Sequence, residues 1–579
     1  MSHAFVIARI YVAAALFLLI IFSCQKKPVD PTPLFTAANS GNLKDLERAL
    51  SSGIYINECD NNGDSALSIA TKNGNIEMVK FLLEKKAGGT RNKKGKSPFE
   101  IAIDFSNIEM VKLFLDHGMR SGLNSTYDTW LPIHEAAFVG NVEIIKILLE
   151  YGSKCNAKSS IKEEPLYIAS KYGNLDAVKC LISAGANINS RSNYTEKRPI
   201  DIAAHNGNIE IVKFLIQSGS QMGATADAII PTIHFAARAG HLEIVKLLLR
   251  SGARIDDTIN DDKRNNVLHE AAEGGQVQVM QYLIALGARV QEPNGWERTP
   301  LHLACENGRV EAVDYLIKQK SRIDAFDNLG REPLHWGAWS GNASIVKMLL
   351  EAGANLEAKH RYADTPLELA AYQGNPEVLK ILIDAGANIN YVNSQGRHPI
   401  HVAAWRDNVD AVKVLEKYGS KLDAKVIDLA IHSCDNSCKF KVLEYLLSEG
   451  MKVDPNKYNE VLCFACMNNN EKLLRLLVSS GCSVESPCNG DRPIHWAAKF
   501  GTSENMKFLI SSGVKIDSQN ENGEQAIHVA VSWGNQEIIK ILLANGASVD
   551  AKTKNGLTPY DVAIKHNRRD VAGWISKQK

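Results

Sequence analysis

The 579-residue sequence predicts an all-α fold, an α-solenoid of stacked helix pairs. Three observations carry this. Pro300, Pro333, Pro366 and Pro399 stand 33 residues apart, each is followed by Leu or Ile, and three of the four then carry His. A fixed period of this size marks an array whose units bury their apolar faces against copies of themselves. Within one period, Thr299 to Leu316, two short apolar stripes at helical spacing flank an Asn-Gly turn. Finally, the chain is far longer than one hydrophobic core serves, and an array escapes that limit because each unit contacts only its neighbours.

Each element of the unit follows from its residues. Thr299-Pro300 opens a helix, since Thr caps free N–H groups and Pro suits the first turn. Leu301, Ala304 and Cys305 lie on one side of it, and Asn307-Gly308 stops it. Val310, Val313, Leu316 and Ile317 form the stripe of a second helix. With T-P-L-H-L-A at this period, the chain resembles the ankyrin-repeat family from about residue 33 onward. The resemblance implies helix pairs joined by β-hairpin finger loops, about 17 of them here, and a binding role for which the fold names no partner.

Composition narrows the function. Lys plus Arg is 66 and Asp plus Glu is 65, which gives no bulk electrostatic case for nucleic acid or an anionic membrane surface. The sequence carries no phosphate-binding G-x-x-x-x-G-K-[ST] loop, H-E-x-x-H or G-x-S-x-G elbow, and no separate segment large enough for a catalytic domain. The expectation is a non-enzymatic protein with no cofactor and no metal.

Taken in order, residues 1–23 read as a signal peptide: Arg9 flanks an uncharged apolar run from Ile10 to Phe22. That run is shorter than the roughly 20 residues a bilayer span needs. Ile21-Phe22-Ser23-Cys24 resembles a bacterial lipobox, which implies lipidation at Cys24; Phe22 departs from the small or β-branched residue usual there. Residues 24–33, with three prolines, read as an extended tether. Regular repeats follow over 34–419. Residues 420–490 lack the T-P-L-H opening but keep helix-pair patterning, and regular repeats resume over 491–579, ending in a polar cap.

Eight of the 16 histidines share one register: His134, His234, His269, His302, His335, His401, His495 and His528. One per repeat, they stand about a helix-packing distance apart, too far to share an ion. The family resemblance implies that they bridge neighbouring repeats by hydrogen bonds. Of the 11 cysteines, Cys59, Cys155, Cys180 and Cys305 read as small apolar residues. Six others crowd into the degenerate region: Cys434, Cys438, Cys463, Cys466, Cys482 and Cys488. In an exported chain these are candidates for disulfides. Free thiols and a metal site are the alternatives, although Cys463 occupies the His register, which disfavours the metal.

The sharpest binding signal is a row of residue pairs just after the Ala-Ala of each first helix. The resemblance places this row on the concave groove. Eight of the 15 pairs contain an aromatic, against about two expected from the chain's 7% aromatic content. Packing against the next repeat is the competing explanation. Phe138, Tyr172, Trp339, Tyr372 and Trp405 from this row, with Trp296 near a finger tip, are the candidate partner-binding residues. The resulting expectation is a monomeric scaffold or adaptor in the bacterial cell envelope. It binds another protein, and its N-terminal lipid alone meets the membrane. A secreted or surface effector engaging host proteins, and a cytoplasmic scaffold behind an uncleaved anchor, are the alternatives.

Overall fold

The computed structural model describes residues 30–118, 123–124, 130–192, 196–224, 230–362, 364–431, 440–454, 459–500 and 503–578. Among these residues the chain is an all-α solenoid of 34 helices, which fall into 17 antiparallel pairs. Two compact units divide it, one ending at Ala288 with eight pairs and one beginning at Arg289 with nine. In each unit, first helices pack on the first helix of the next repeat and on their own second helix. The first helix begins at Thr32, just ahead of the start at residue 34 expected from the pattern. No helix of the described residues is long and apolar enough to cross a membrane. Cys24, Cys434 and Cys438 lie outside the described residues.

The repeat Pro366–Asp384 shows why the pattern folds this way. Thr365 caps the Pro366–Gln373 helix, and the Glu368 side chain returns to the Thr365 N–H at 3.0 Å, closing a capping box. Leu367, Ala370 and Ala371 of this helix are buried with Val378, Leu379 and Leu382 of Pro376–Asp384. Each such aliphatic side chain contributes about 1.5–3 kcal/mol on burial. Gly374 ends the first helix at φ +78°, where an added Cβ would meet the Asn408 side chain at 2.6 Å. That asparagine begins the next repeat's second helix, and its Nδ2 donates back to the Tyr372 and Ala371 carbonyls at 2.7 and 3.2 Å. Asn174 reaches Phe138 and Asn535 reaches Lys499 in the same way. The Gly-Asn step therefore both turns the chain and ties consecutive repeats.

The finger loops differ from the expected β-hairpins. The described residues hold isolated bridges, such as Cys59 with Ser65 and Gln519 with Gln525, and no strands. Many fingers are closed by an Asn or Asp side chain, and others by Ser159, His360 or Thr553. Asn393 Oδ1 accepts the Gln395 and Arg397 N–H groups at 3.0 Å, which spends the backbone donors a ladder would need. Single main-chain bonds then join finger to finger, as from Asn328 to Trp296 and from Arg361 to Leu329.

The shared histidines are at most 2% exposed. Their Nε2–H reaches into the following repeat: His134 to the Glu163 carbonyl at 2.9 Å, His302 to Arg331 at 3.1 Å, His495 to Glu524 at 2.9 Å. Burial holds His134, His234, His302 and His335 at a pKa of about 4, so the neutral imidazole brackets the repeats. The described residues contain no group of three or more His, Cys, Asp or Glu able to hold a metal ion.

Candidate aromatic binding surface

Most of the aromatic row assembles into clusters through a simple consequence of register. Equivalent positions on adjacent first helices lie one repeat apart, which is stacking distance for large rings. In the first unit Phe138 meets Tyr172 edge-on at 4.6 Å between centroids, and Trp130 from the preceding finger joins at 5.6 Å. In the second unit Trp339 stacks on Tyr372 at 5.5 Å, and Tyr372 meets Trp405 at 6.0 Å. Further along, Phe500 lies 6.0 Å from Trp496 and 5.4 Å from Trp533. Such pairs contribute about 0.5–1.5 kcal/mol beyond area burial. Packing and exposure coexist: Trp339 stays 39% exposed and Trp533 47%.

Each cluster carries cations on its rings. Lys171 lies 5.5 Å from the Tyr172 centroid. Arg406 sits over Tyr372 at 4.4 Å and Arg397 over Trp405 at 4.9 Å. Lys499 lies within 5.6 Å of Trp496, Phe500 and Trp533 together. These contacts fix the rings and give the surface a mixed aromatic and cationic face.

Trp296 belongs to a different arrangement. Its ring lies 5.1 Å from the Arg298 guanidinium, which itself stacks on buried Trp336 at 4.0 Å, with Arg331 at 4.0 Å from the same indole. Buried Asp327 accepts from Arg331 Nε at 2.9 Å and from the Trp336 indole at 3.3 Å. This is an inter-repeat polar core, and it ties Trp296 to the scaffold apart from the Trp339–Tyr372–Trp405 stack. Its trace in the sequence is Trp296 and Arg298 in one finger, followed by Arg331 in the next finger and Trp336 in the helix after it.

Between the Tyr362 and Ser394 fingers lies a pocket of about 280 Å³ whose walls include Tyr362, Tyr372, Trp405, Asp364, Glu368 and Arg397. Glu368 takes the register that elsewhere holds His. It is 1% exposed, and its Oε1 makes no close hydrogen bond, although the neutral Asn393 amide stands near enough to favour the ionised form. Burial, with the nearby Asp364 charge, pushes its pKa up to about 8. A smaller polar pocket of about 180 Å³ lies beside Trp533 and Lys499.

In the degenerate region the structure joins Cys463 to Cys488, 25 residues apart, by a disulfide with a Cα–Cα distance of 6.7 Å. Cys466 and Cys482 are buried thiols. Burial raises both, Cys466 to about 12. The pairing could not be read from sequence, because six cysteines allow many pairings and only the fold says which two face each other.

Comparison with known families agrees with this architecture. A family model described as ankyrin repeats (3 copies) matches residues 7–91, 85–159, 133–226, 229–294, 287–360, 429–520 and 494–579. A second, described as ankyrin repeats (many copies), matches residues 367–416. No curated protein matches the chain.

Proposed function

The chain belongs to the ankyrin-repeat family, and from that premise we propose that it is a non-enzymatic scaffold that captures a partner protein on its aromatic clusters. The observation that carries this reading is the Trp339–Tyr372–Trp405 stack, held in place by Asn408 and Arg406 yet partly open to solvent. Rigid, half-exposed aromatics lose little entropy on binding and are the side chains that dominate interface energetics. Phe138 with Tyr172 forms a second anchor of the same kind in the first unit.

The same proposal places the scaffold in the bacterial cell envelope as a monomer, tethered by lipid at Cys24 through residues 24–33. The lipobox-like Ile21-Phe22-Ser23-Cys24 supports this. The Cys463–Cys488 disulfide supports it independently, since such bonds persist in oxidising compartments.

One preparation tests both halves. Protein extracted from membranes should have lost residues 1–23 and carry acyl chains on Cys24 by intact mass, whereas a retained Met1 would overturn the lipid tether. The variant Trp339→Ala/Tyr372→Ala/Trp405→Ala should lose the partner that co-purifies with the wild type, at a stability cost of about 1–3 kcal/mol from lost stacking. A cost well above the roughly 3–5 kcal/mol of a single buried-aromatic truncation, with partner capture intact, would mark the residues as core.

A further inference from the structure

The T-P-L-H register supplies the comparison. Acids replace His there at Glu100, Asp201, Glu368 and Asp561. Asp561 is exposed. Two of the buried acids are met by an arginine of the chain itself: Arg91 Nη1 donates to Glu100 at 2.7 Å, and Arg198 Nε donates to Asp201 at 2.8 Å. Glu368 is equally buried, but the charge that acts on it is that of a second acid, Asp364. The residue in the Arg91 register of this repeat is Lys359, whose ammonium lies instead over the Tyr391 ring at 4.7 Å. Where the Glu100 and Asp201 repeats place an arginine, this one has a pocket.

The pocket's chemistry fits a cation. Exposed Tyr362 supplies an aromatic face, Tyr372 and Trp405 line the wall with Arg406 and Arg397 already over their rings, and Asp364 and Glu368 supply acceptors, one with an unpartnered oxygen. Asp364 is itself held by His360 Nε2 at 3.2 Å and by Asn393 at 3.4 Å. Arg397, the cation on the wall, is engaged with the Trp405 ring. A volume of about 280 Å³ is just below the range of small-molecule sites, about 300–1,000 Å³, and suits one long side chain.

We propose that this pocket seats a lysine or arginine side chain of the partner protein, its stem against Tyr372 and Trp405 and its charged head on the Asp364–Glu368 pair. The inference rests on the aromatic-surface reading above and specifies the partner residue that it takes. Attraction to the exposed Tyr362 ring and charge-assisted hydrogen bonds to the carboxylates both favour a basic group over an acidic or neutral one. An arriving cation favours the ionised Glu368, so binding releases a proton and tightens as pH rises through about 8.

The test uses a displayed library of random peptides selected on the whole protein. Glu368→Gln is the informative variant, because Gln at this position keeps the capping box and removes the charge. The expected result is enrichment of peptides with a Lys or Arg at a fixed place. Their binding should fall about tenfold or more with Glu368→Gln or when that residue is changed to Gln, and the gain in affinity with rising pH should vanish in the variant. Enriched peptides that need Trp339 and Tyr372 but are indifferent to Glu368→Gln would overturn the pocket and leave the aromatic surface standing. Peptides indifferent to all of these changes would overturn both.

Discussion

At the residue scale, the recurring histidine works as a neutral bracket with two assigned nitrogens. Nδ1 accepts the N–H of the capping residue, as His302 does from Thr299 at 3.1 Å, and Nε2–H crosses to the next repeat. His234 shows the rule by its exception. Its Nδ1 has no partner because the residue in the capping position is Pro231, which has no N–H. The pH dependence follows. A histidine at about 4 when folded and 6.5 when unfolded contributes stability that is complete above 6.5 and drains away as pH falls toward 4. Glu332 and Glu368, raised from 4.5 to about 7 and 8, act oppositely, since their stability is complete below 4.5 and is lost as pH climbs from there to those values. The two windows overlap, so a single variant must separate them. The stability gap between wild type and His302→Gln should narrow by about 1.4 kcal/mol per unit as pH drops from 6.5 to 4, as read by urea unfolding. A gap independent of pH would mean that His302 is not the buried neutral group described.

At the element scale, the Asn459–Met467 helix is the informative one. It lacks the Thr-Pro opening, and Cys463 takes the histidine register within it. Where His495 reaches forward by a hydrogen bond, Cys463 reaches forward to Cys488 by a covalent one. A loop of 25 residues closed this way contributes about 3.5 kcal/mol in the chain-entropy view. Reduction, or Cys463→Ser without reductant, should therefore expose residues 440–500 to limited proteolysis while the repeats before Ala288 resist. Equal resistance in the oxidised and reduced protein would remove the staple from the account. Cysteine crowding pointed to this region, but the partner choice needed the fold to carry Cys488 on the next finger back to the helix.

At the scale of the whole molecule, stability is a sum over repeats and their interfaces, so cooperativity need not span the chain. Seven of the eight tryptophans lie beyond Arg289, in the second unit, which also holds the weakly patterned region. Tryptophan fluorescence thus reports that unit, while helical circular dichroism reports both. The two probes should give non-coincident urea transitions, with fluorescence moving first. Superimposable curves would show one cooperative block instead.

The sequence by itself determined the helix pairs, because capping Thr-Pro, the Gly-Asn turn and apolar spacing are local signals repeated along the chain. It also singled out the aromatic row, since residues 33 apart in a periodic array occupy equivalent places. Only the tertiary structure decided which aromatics touch. Phe138 found Tyr172, and Trp339 found Tyr372, while Trp296 was drawn into the Arg298–Trp336–Arg331 stack. It likewise decided that Glu100 and Asp201 have their arginines and Glu368 has a pocket. The reason is physical. Period fixes backbone placement, but a long side chain reaches one of several neighbours across the repeat boundary, and that choice depends on what surrounds it in space.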